Sequence, residues 1–268
     1  MKITKNIQHD FGFLLYNIPT PTVDYTKIAT LCLRHLKHYM PHIPVAVCGD
    51  KVEGADIQLT IDKLKENKRT YVHKSQTHKE TWFNLTRDCS LDLTPFNRTV
   101  LLDSDYIVQS NQLSLLFEAG SPIMMYDTIY NIKEDLIETE YLGNTKIPLK
   151  WATVLAFDHS STSQELFGLW KKILQNYKYY ELLYRWRGDG TVWNDKAITI
   201  AHQQLTNYNA NSKQYIIPWH HPFASFSCDV EHVGLDKIIL RDQKSSFQVH
   251  TDVHILNKQE LLWATNKV

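Results

Sequence analysis

The sequence predicts an α/β fold, because short apolar runs of strand length alternate with longer amphipathic runs of helix length. The composition supports a folded chain, since 43% of the 268 residues are hydrophobic and 12% are aromatic. No internal repeat, low-complexity tract or linker-like segment interrupts the alternation. We therefore expect a single domain over residues 1–268.

The first half of the chain contains three strand-like runs. Between the first two lies a predicted helix that Asp24 caps and Pro41 terminates. Residues 51–75 are polar and give no clear pattern, whereas Trp82 and Leu85 suggest a helix around 77–88. The predicted strands of this half are 11–18, 43–48 and 99–102.

The second half continues the alternation. Ser110 is the expected cap of a short helix, residues 162–165 read as a capping box before a longer helix, and Asn194 is the expected cap of another. Residues 131–150 are charged and lack periodicity, which predicts a loop or lid. The predicted strands of this half are 122–126, 152–157, 215–218 and 238–240.

Charge and cysteine content restrict the class of protein. Lys and Arg together number 29, as do Asp and Glu, which excludes a protein that coats nucleic acid through bulk charge. The four cysteines are scattered and form no C-x-x-C pair, so we expect reduced thiols and a cytoplasmic location. The sequence has neither the apolar core of a signal peptide nor an apolar stretch near the ~18 residues of a membrane span, which predicts a soluble protein.

Asp103, Ser104 and Asp105 form the strongest local pattern, directly after the apolar run 99–102. Residues two apart in extended chain point to the same side, so both carboxylates can face one ion. Carboxylate oxygens suit a hard divalent cation such as Mg²⁺ or Mn²⁺, and the end of a strand is where open α/β sheets bind ligands. A solvated Asp-Ser-Asp turn would have the same sequence, so the pattern alone leaves both interpretations open.

The segment 93–105 resembles the D-x-D motif of the GT-A glycosyltransferases and its approach, and the order of elements is similar from residue 11 to about 258. The resemblance implies a single Rossmann-like GT-A domain with a central, mostly parallel mixed sheet flanked by helices. Its nucleotide-binding half would be about 11–108 and its acceptor half about 109–258. The implied donor is a UDP-sugar, held through Mn²⁺ or Mg²⁺ by Asp103 and Asp105, with Ser104 between them.

The resemblance also implies residues that contact the nucleotide. The loop after the first strand would carry the base and ribose, and Asp50 would accept a hydrogen bond from a uracil N–H. Arg87 would complement the diphosphate. Each has an ordinary alternative, such as a simple turn, a core tyrosine or a surface salt bridge. The residues assigned in this way are Asn17, Thr20, Tyr25, Asp50, Arg87, Ser104 and Lys258.

A late histidine is the implied third metal ligand. Retaining enzymes related to glycogenin use the pattern His-x-x-Gly-x-x-Lys, whose lysine contacts the diphosphate. This chain has His254-x-x-Asn257-Lys258, with three residues between the histidine and the lysine rather than five, and without the glycine. We assign His254 to the metal and Lys258 to the diphosphate, with His250 in reserve, and expect retention of anomeric configuration.

Two aspartates are candidates for the catalytic role. A loop containing Gly188 and Gly190 precedes Asp195, and the resemblance implies an acidic residue there, near the sugar and the acceptor. The favourable charge of a carboxylate at a helix N-terminus explains Asp195 equally well. Asp158, after the predicted strand 152–157, is the weaker candidate. Trp186 and Trp193 nearby would suit stacking on a sugar or base, or a buried pair.

The layout is also similar to small glycosyltransferases encoded by large tailed phages. That resemblance implies a hydroxymethylated pyrimidine in phage DNA as acceptor and glucose or arabinose as sugar, and a base in duplex DNA would have to be flipped out. A carbohydrate or protein acceptor is the main alternative. A nucleotidyltransferase and a non-catalytic nucleotide-binding module are other classes, although the loop 19–22 (Pro-Thr-Pro-Thr) lacks the Gly-rich character of the former.

Overall fold

The computed structural model describes residues 9–73, 76–133, 135–136, 140–186, 191–209, 212–219, 223–224, 228–242 and 244–266. Within these ranges, no helix is both long and apolar enough to cross a membrane. All four cysteines fall in the described part and each is a free thiol, as their spacing predicts.

The described residues form fourteen strands, several of them only two or three residues long. The strands are β1 (His9–Asn17), β2 (Val45–Gly49), β3 (Ile57–Leu59), β4 (Asn67–His73), β5 (Gln76–Trp82), β6 (Phe96–Leu102), β7 (Tyr106–Ile107), β8 (Ile123–Tyr126), β9 (Trp151–Phe157), β10 (Phe223–Ala224), β11 (Asp229–Val233), β12 (Ile238–Arg241), β13 (Ser246–Val249) and β14 (Val253–Ile255).

Seven α-helices accompany the strands in the described residues, with two short 3₁₀ helices at Asn84–Cys89 and Gln112–Ser114. The α-helices are α1 (Tyr25–Tyr39), α2 (Ser90–Leu93), α3 (Leu115–Glu118), α4 (Ser161–Gln175), α5 (Tyr177–Tyr184), α6 (Asn194–Leu205) and α7 (Lys258–Thr265).

A six-stranded sheet of order β3-β2-β1-β6-β9-β8 forms the centre of the molecule. The first four strands are mutually parallel, and β9 is antiparallel to both β6 and β8. The predicted α/β class, with a mostly parallel mixed sheet flanked by helices, is confirmed. Because β8 runs in the same direction as β6, the carboxyl ends of β1, β2, β6 and β8 and the start of β9 share one edge of the sheet.

Both faces of this sheet are buried, which explains why its strands are continuous apolar runs. Alternate residues of β6 enter two different cores: Val100 and Leu102 pack with α1, whereas Leu101 packs with α4 and α6. The central strands therefore have no solvent face and are held in register by packing on both sides.

The first helix begins as predicted, because the Asp24 side chain accepts a hydrogen bond from the Lys27 backbone N–H. Two other cap assignments were wrong. Helix α4 is capped by Ser160 rather than by the box at 162–165. Asn194 is the first helical residue of α6 and does not cap it, because its side chain donates to the Asn84 carbonyl instead.

The helix expected around 77–88 was also wrong. Residues 76–82 form β5, which pairs with β4 in an antiparallel hairpin, and a 3₁₀ helix follows it. Cross-strand pairing therefore overrides the apolar spacing of Trp82 and Leu85. The strand expected at 215–218 is reduced to an isolated bridge between Met125 and Ile216. Tyr215 has a φ of 68°, outside the extended region.

The other predicted strands are confirmed, with boundaries within three residues of the prediction; the largest difference is β6, which begins at Phe96 rather than at residue 99. The cap assigned to Ser110 was wrong by one residue, because Asn111 occupies the cap position of the 3₁₀ helix Gln112–Ser114; the Ser110 hydroxyl accepts from the Gln112 backbone N–H. The segment 131–150 is a loop where it is described, with isolated bridges from Tyr130 to Leu136 and from Tyr141 to Pro148.

Candidate active site

Two carboxylates and one imidazole converge at the carboxyl edge of the sheet. Asp103 and Asp105 follow β6, and His254 lies on β14, which pairs with β7 opposite Tyr106. The Ile255 backbone N–H donates to the Asp105 carbonyl at 3.0 Å, which fixes the register of β14 on this segment. One ligand atom from each of the three side chains lies within 4.8 Å of the other two.

The three side chains are close enough to share one cation. His254 Nε2 lies 3.3 Å from Asp105 Oδ1 and 3.9 Å from Asp103 Oδ2. Asp105 and His254 are buried, with 4% and 6% of their surface exposed. Two carboxylates and an imidazole form a donor set that suits a divalent cation. The structure thus brings His254, and not the exposed His250, to the carboxylates.

Lys258 approaches the same pair from the start of α7. Its Nζ lies 2.7 Å from Asp105 Oδ2. Burial acts to raise the pKa of Asp105, but Lys258 and His254 outweigh it and hold that pKa well below its usual range. Burial also raises the pKa of Asp103, against the neighbouring Arg87, and the charge of Asp105 adds to the rise. Two adjacent carboxylates, one buried and one partly exposed, therefore favour any further positive charge.

Arg87 connects the first carboxylate to strand β9. Its Nη1 donates to Asp103 Oδ1 and its Nη2 to the Ala152 carbonyl, both at 2.5 Å. The side chain is buried and lies on the 3₁₀ helix after the β4–β5 hairpin. Arg87 thus lies beside the cluster, and its guanidinium orients Asp103.

Asp195 lies on the other side of Ala152. The Ala152 backbone N–H donates to Asp195 Oδ1 at 2.7 Å. Burial raises the pKa of Asp195, the bond from Ala152 opposes the rise, and the charge of Asp103 adds to it. This third carboxylate is therefore next to the cluster, and it lies in the first turn of α6, the helix position that the sequence predicted.

Three asparagines hold the segment before Asp195 through hydrogen bonds that sequence patterns did not predict. Asn67 Nδ2 donates to the Val192 carbonyl at 2.8 Å, and Asn67 Oδ1 accepts from the Val192 N–H at 3.0 Å. Asn67 also donates to Asn84 Oδ1, while Asn194 donates to the Asn84 carbonyl. The base of the β4–β5 hairpin therefore positions the start of α6.

The predicted nucleotide residues lie along the same edge but differ in what they contact. Buried Asn17 donates to the Asp50 carbonyl at 3.0 Å and to Thr26 Oγ1 at 3.1 Å, so it links the ends of β1 and β2. Thr20 Oγ1 accepts from a backbone N–H in its own loop. Tyr25, the first residue of α1, is close enough to Lys258 to contribute to the raised pKa of that lysine.

Asp158 is not part of the cluster. It follows the far end of β9, where Phe157 pairs with Thr99, roughly 15 Å along the strand from Thr153. Its Oδ1 accepts from the Ser160 N–H and the Ser163 hydroxyl, which stabilises the start of α4. The antiparallel direction of β9, which its sequence does not reveal, places its carboxyl end at the opposite edge of the sheet.

A second buried ionic group, which sequence analysis missed, follows β8. Lys150 is fully buried, with its Nζ 3.4 Å from Asp127 Oδ2, and Lys213 lies 2.8 Å from the same oxygen. Burial lowers the pKa of Lys150 while Asp127 raises it. The Lys150 backbone N–H donates to Thr199 Oγ1 on α6. Thr199 lies one helical turn after Asp195, so the Lys150–Asp127 group is close to Asp195.

The two tryptophans near Asp195, Trp186 and Trp193, differ in exposure, so they fit neither a buried pair nor an exposed stacking pair completely. Trp186 is buried, and Trp193 is 37% exposed. Lys196 Nζ lies 5.3 Å from the Trp186 ring centre and 5.7 Å from that of Trp193, within the range of a cation–π contact. The glycine loop at 188 and 190 lies outside the described residues.

Three solved structures similar to this chain are glycosyltransferases. GlyE of Streptococcus pneumoniae TIGR4 is 14% identical with a TM-score of 0.43, and the match covers 79% of this chain but 46% of that one, so this chain spans about half its length. The galactosyltransferase LgtC, solved with donor and acceptor sugar analogues, is 12% identical with a TM-score of 0.43 and coverage of 72% and 70%. The bifunctional glycosyltransferase WbbM is 11% identical with a TM-score of 0.38 and coverage of 65% and 36%. In sequence, neither a family model nor a curated protein matches. Similarity at this level assigns neither an activity nor residue roles.

Proposed function

We propose that this chain is a metal-dependent glycosyltransferase of the GT-A type that transfers a sugar from a UDP-sugar to an acceptor hydroxyl. The observation that carries the proposal is the convergence of Asp103, Asp105 and His254 at the carboxyl edge of the sheet, with Lys258 beside them. Open α/β sheets bind their ligands at this edge. The D-x-D resemblance connects such a site to nucleotide-sugars.

The charged side chains of the site would bind and orient the donor diphosphate. Asp103, Asp105 and His254 would hold Mn²⁺ or Mg²⁺, which neutralises the charge that develops on the departing nucleoside diphosphate. Lys258 would add a second positive charge at the same place, since 24% of its side chain is exposed beside Asp105. Arg87 would keep Asp103 aligned, because its guanidinium donates one hydrogen bond to Asp103 and another to the Ala152 carbonyl.

Asp195 would act on the transferred sugar. Its carboxylate is oriented by the Ala152 N–H and lies near Asp103. In the transfer, the acceptor oxygen bonds to the anomeric carbon while the bond from that carbon to the diphosphate oxygen breaks. The acceptor proton leaves to the diphosphate or to solvent. Asp195 would stabilise the positive charge that develops on the sugar ring, and the glycogenin-like His254 and Lys258 favour retention.

Two acceptor classes follow from the sequence resemblances: a hydroxymethylated pyrimidine in phage DNA, and a hydroxyl of a carbohydrate or protein. With 29 acidic and 29 basic residues, the chain has no bulk attraction for DNA. Mass spectrometry after incubation with hydroxymethylcytosine DNA, unmodified DNA and oligosaccharides would separate the classes. A sugar mass added only to the modified DNA selects the first class, and one added to an oligosaccharide selects the second.

The experiment that tests the donor site is thermal unfolding with a panel of nucleotides and nucleotide-sugars, with and without Mn²⁺. A ligand at 100 times its Kd stabilises the folded state by about 2.7 kcal/mol. In a chain of this size that corresponds to a rise of roughly 5–10 °C in Tm. We expect the rise with UDP or one UDP-sugar, and only when Mn²⁺ is present.

Paired variants decide whether this site produces the shift. Asp103→Asn and Asp105→Asn should abolish both the shift and turnover, because each removes a charged ligand. Asp92→Asn is the matched control, since Asp92 forms a surface pair with Lys171. No shift with any nucleotide in folded wild-type protein would refute the proposal. A nucleotide shift without sugar transfer would instead indicate a binding module, and release of pyrophosphate would indicate a nucleotidyltransferase.

A further inference from the structure

Thr153 contacts two of the three candidate metal ligands. It lies on β9 between the D-x-D segment and β14, and only 3% of its surface is exposed. Its carbonyl accepts from the Asp103 backbone N–H at 2.9 Å. Its hydroxyl lies 3.3 Å from His254 Nδ1. One residue thus fixes the main chain of one ligand and the ring of another.

The His254 ring is oriented with its two nitrogens toward different groups. Nδ1 faces the Thr153 hydroxyl, and Nε2 faces the carboxylates at 3.3 and 3.9 Å. A neutral imidazole carries one N–H and one lone pair, so the role of one nitrogen dictates the role of the other. The hydrogen bond at Nδ1 therefore determines whether Nε2 is free to bind a cation.

The hydroxyl suits both tautomers of that ring. Without a cation, Nε2–H donates to the Asp105 carboxylate, which can only accept, and Nδ1 must accept from the Thr153 hydroxyl. With a cation at the site, Nε2 needs its lone pair, and Nδ1–H must donate to the same hydroxyl. A hydroxyl both donates and accepts, whereas a carboxylate, an ammonium or a carbonyl could serve one tautomer only.

We propose that Thr153 is a positioning residue for the metal ligand His254, whose hydroxyl supports the change of tautomer when the cation binds. The inference rests on the proposed metal site. Valine has the shape of threonine but forms no hydrogen bond, and serine keeps the hydroxyl without the methyl group. The two substitutions therefore separate the hydrogen bond from packing.

Mn²⁺ alone is a sufficient probe, so no sugar or acceptor has to be known. Free Mn²⁺ measured by electron paramagnetic resonance gives the Kd of each variant. Thr153→Val should weaken Mn²⁺ binding about tenfold, the low end of the effect of second-layer partners on metal affinity. Thr153→Ser should stay close to wild type. Thr99→Val is the matched control, because buried Thr99 bonds to Thr94 at 2.6 Å, near the other end of the sheet.

The outcomes distinguish this inference from the metal site itself. Equal affinities for Thr153→Val and wild type, with binding lost in Asp103→Asn, would overturn the role of Thr153 alone. Equal weakening in the valine and serine variants would show that packing matters and the hydroxyl does not. Wild-type protein that binds no Mn²⁺, or that binds it unchanged in Asp103→Asn, would overturn both proposals. Thermal unfolding of each variant establishes that it is folded.

A second readout follows the tautomer directly. Nitrogen NMR of His254 at mildly alkaline pH should show an Nε2–H ring without metal and an Nδ1–H ring with Mg²⁺, which is diamagnetic. The change should occur in wild type and in Thr153→Ser. The same tautomer in both states would overturn the proposed role of the hydroxyl.

Discussion

Replacing Lys258 by methionine should destabilise the protein strongly without metal and much less with it. Methionine keeps most of the unbranched side chain but removes the charge 2.7 Å from the buried Asp105. Breaking a fully buried ion pair costs about 3–5 kcal/mol, and a hydrogen bond to a charged group contributes about 1.5–3. Because 24% of the Lys258 side chain is exposed, we expect the lower range, about 2–3 kcal/mol.

A cation bound by Asp103 and Asp105 would replace the missing charge. We therefore expect Mn²⁺ at saturation to reduce the loss in Lys258→Met to less than about half, and by reciprocity this variant should bind Mn²⁺ more tightly than wild type. Urea unfolding with and without Mn²⁺ measures both effects. The control Lys171→Met breaks a partly exposed pair with Asp92 and should cost less than about 1 kcal/mol in either condition. An equal loss with and without Mn²⁺ would refute the reasoning.

Three further predictions concern the surroundings of the site. Asn67→Ala removes both bonds to the Val192 backbone, so kcat should fall while the KM for the donor stays within about twofold; a matching rise in KM would contradict a positioning role. Burial lowers the pKa of His202, so the folded state resists protonation and stability is lost as pH falls below about 6.5, by at most about 1.4 kcal/mol per pH unit. Urea unfolding at pH 7.5 and 5.5 should show a smaller loss in His202→Gln, and equal losses would refute the assignment. Gly49 has a φ of 105° and a Cβ there would lie 2.2 Å from the Asn17 carbonyl oxygen, so Gly49→Ala should lower stability by more than about 1 kcal/mol in urea unfolding; no change would mean that the turn relaxes.

The central sheet was predictable because its strands are buried on both faces. The runs 11–18, 43–48 and 152–157 are mostly apolar, so each appears in the sequence without knowledge of its neighbours. The β4–β5 hairpin was missed because its sequence is polar, and cross-strand pairing has no signature in a single segment. Strand direction was also hidden, so the sequence could not show that Asp158 lies at the edge of the sheet opposite the D-x-D segment.

The site was predictable in part for a similar reason. The pair Asp103 and Asp105 shares a short segment with a fixed spacing, and the resemblance supplied His254 although it lies far away in the chain. The contacts of Thr153 and Asn67 could not be predicted from a sequence motif, because each joins segments that are distant in sequence. Hydroxyl and amide side chains in such places look like ordinary polar residues until the fold brings their partners together.

The charges of the site explain why nucleotide binding should depend on a metal. With all three carboxylates ionised and the imidazole neutral, Asp103, Asp105 and Asp195 contribute three negative charges and Arg87 and Lys258 two positive ones, which gives −1. A diphosphate approaching this arrangement is repelled. A divalent cation changes the sum to +1 and reverses the sign of the interaction, while the buried position keeps it from being screened by salt. The protein therefore cannot gain affinity for a diphosphate from its own charges alone, and cation and nucleotide should bind with positive cooperativity.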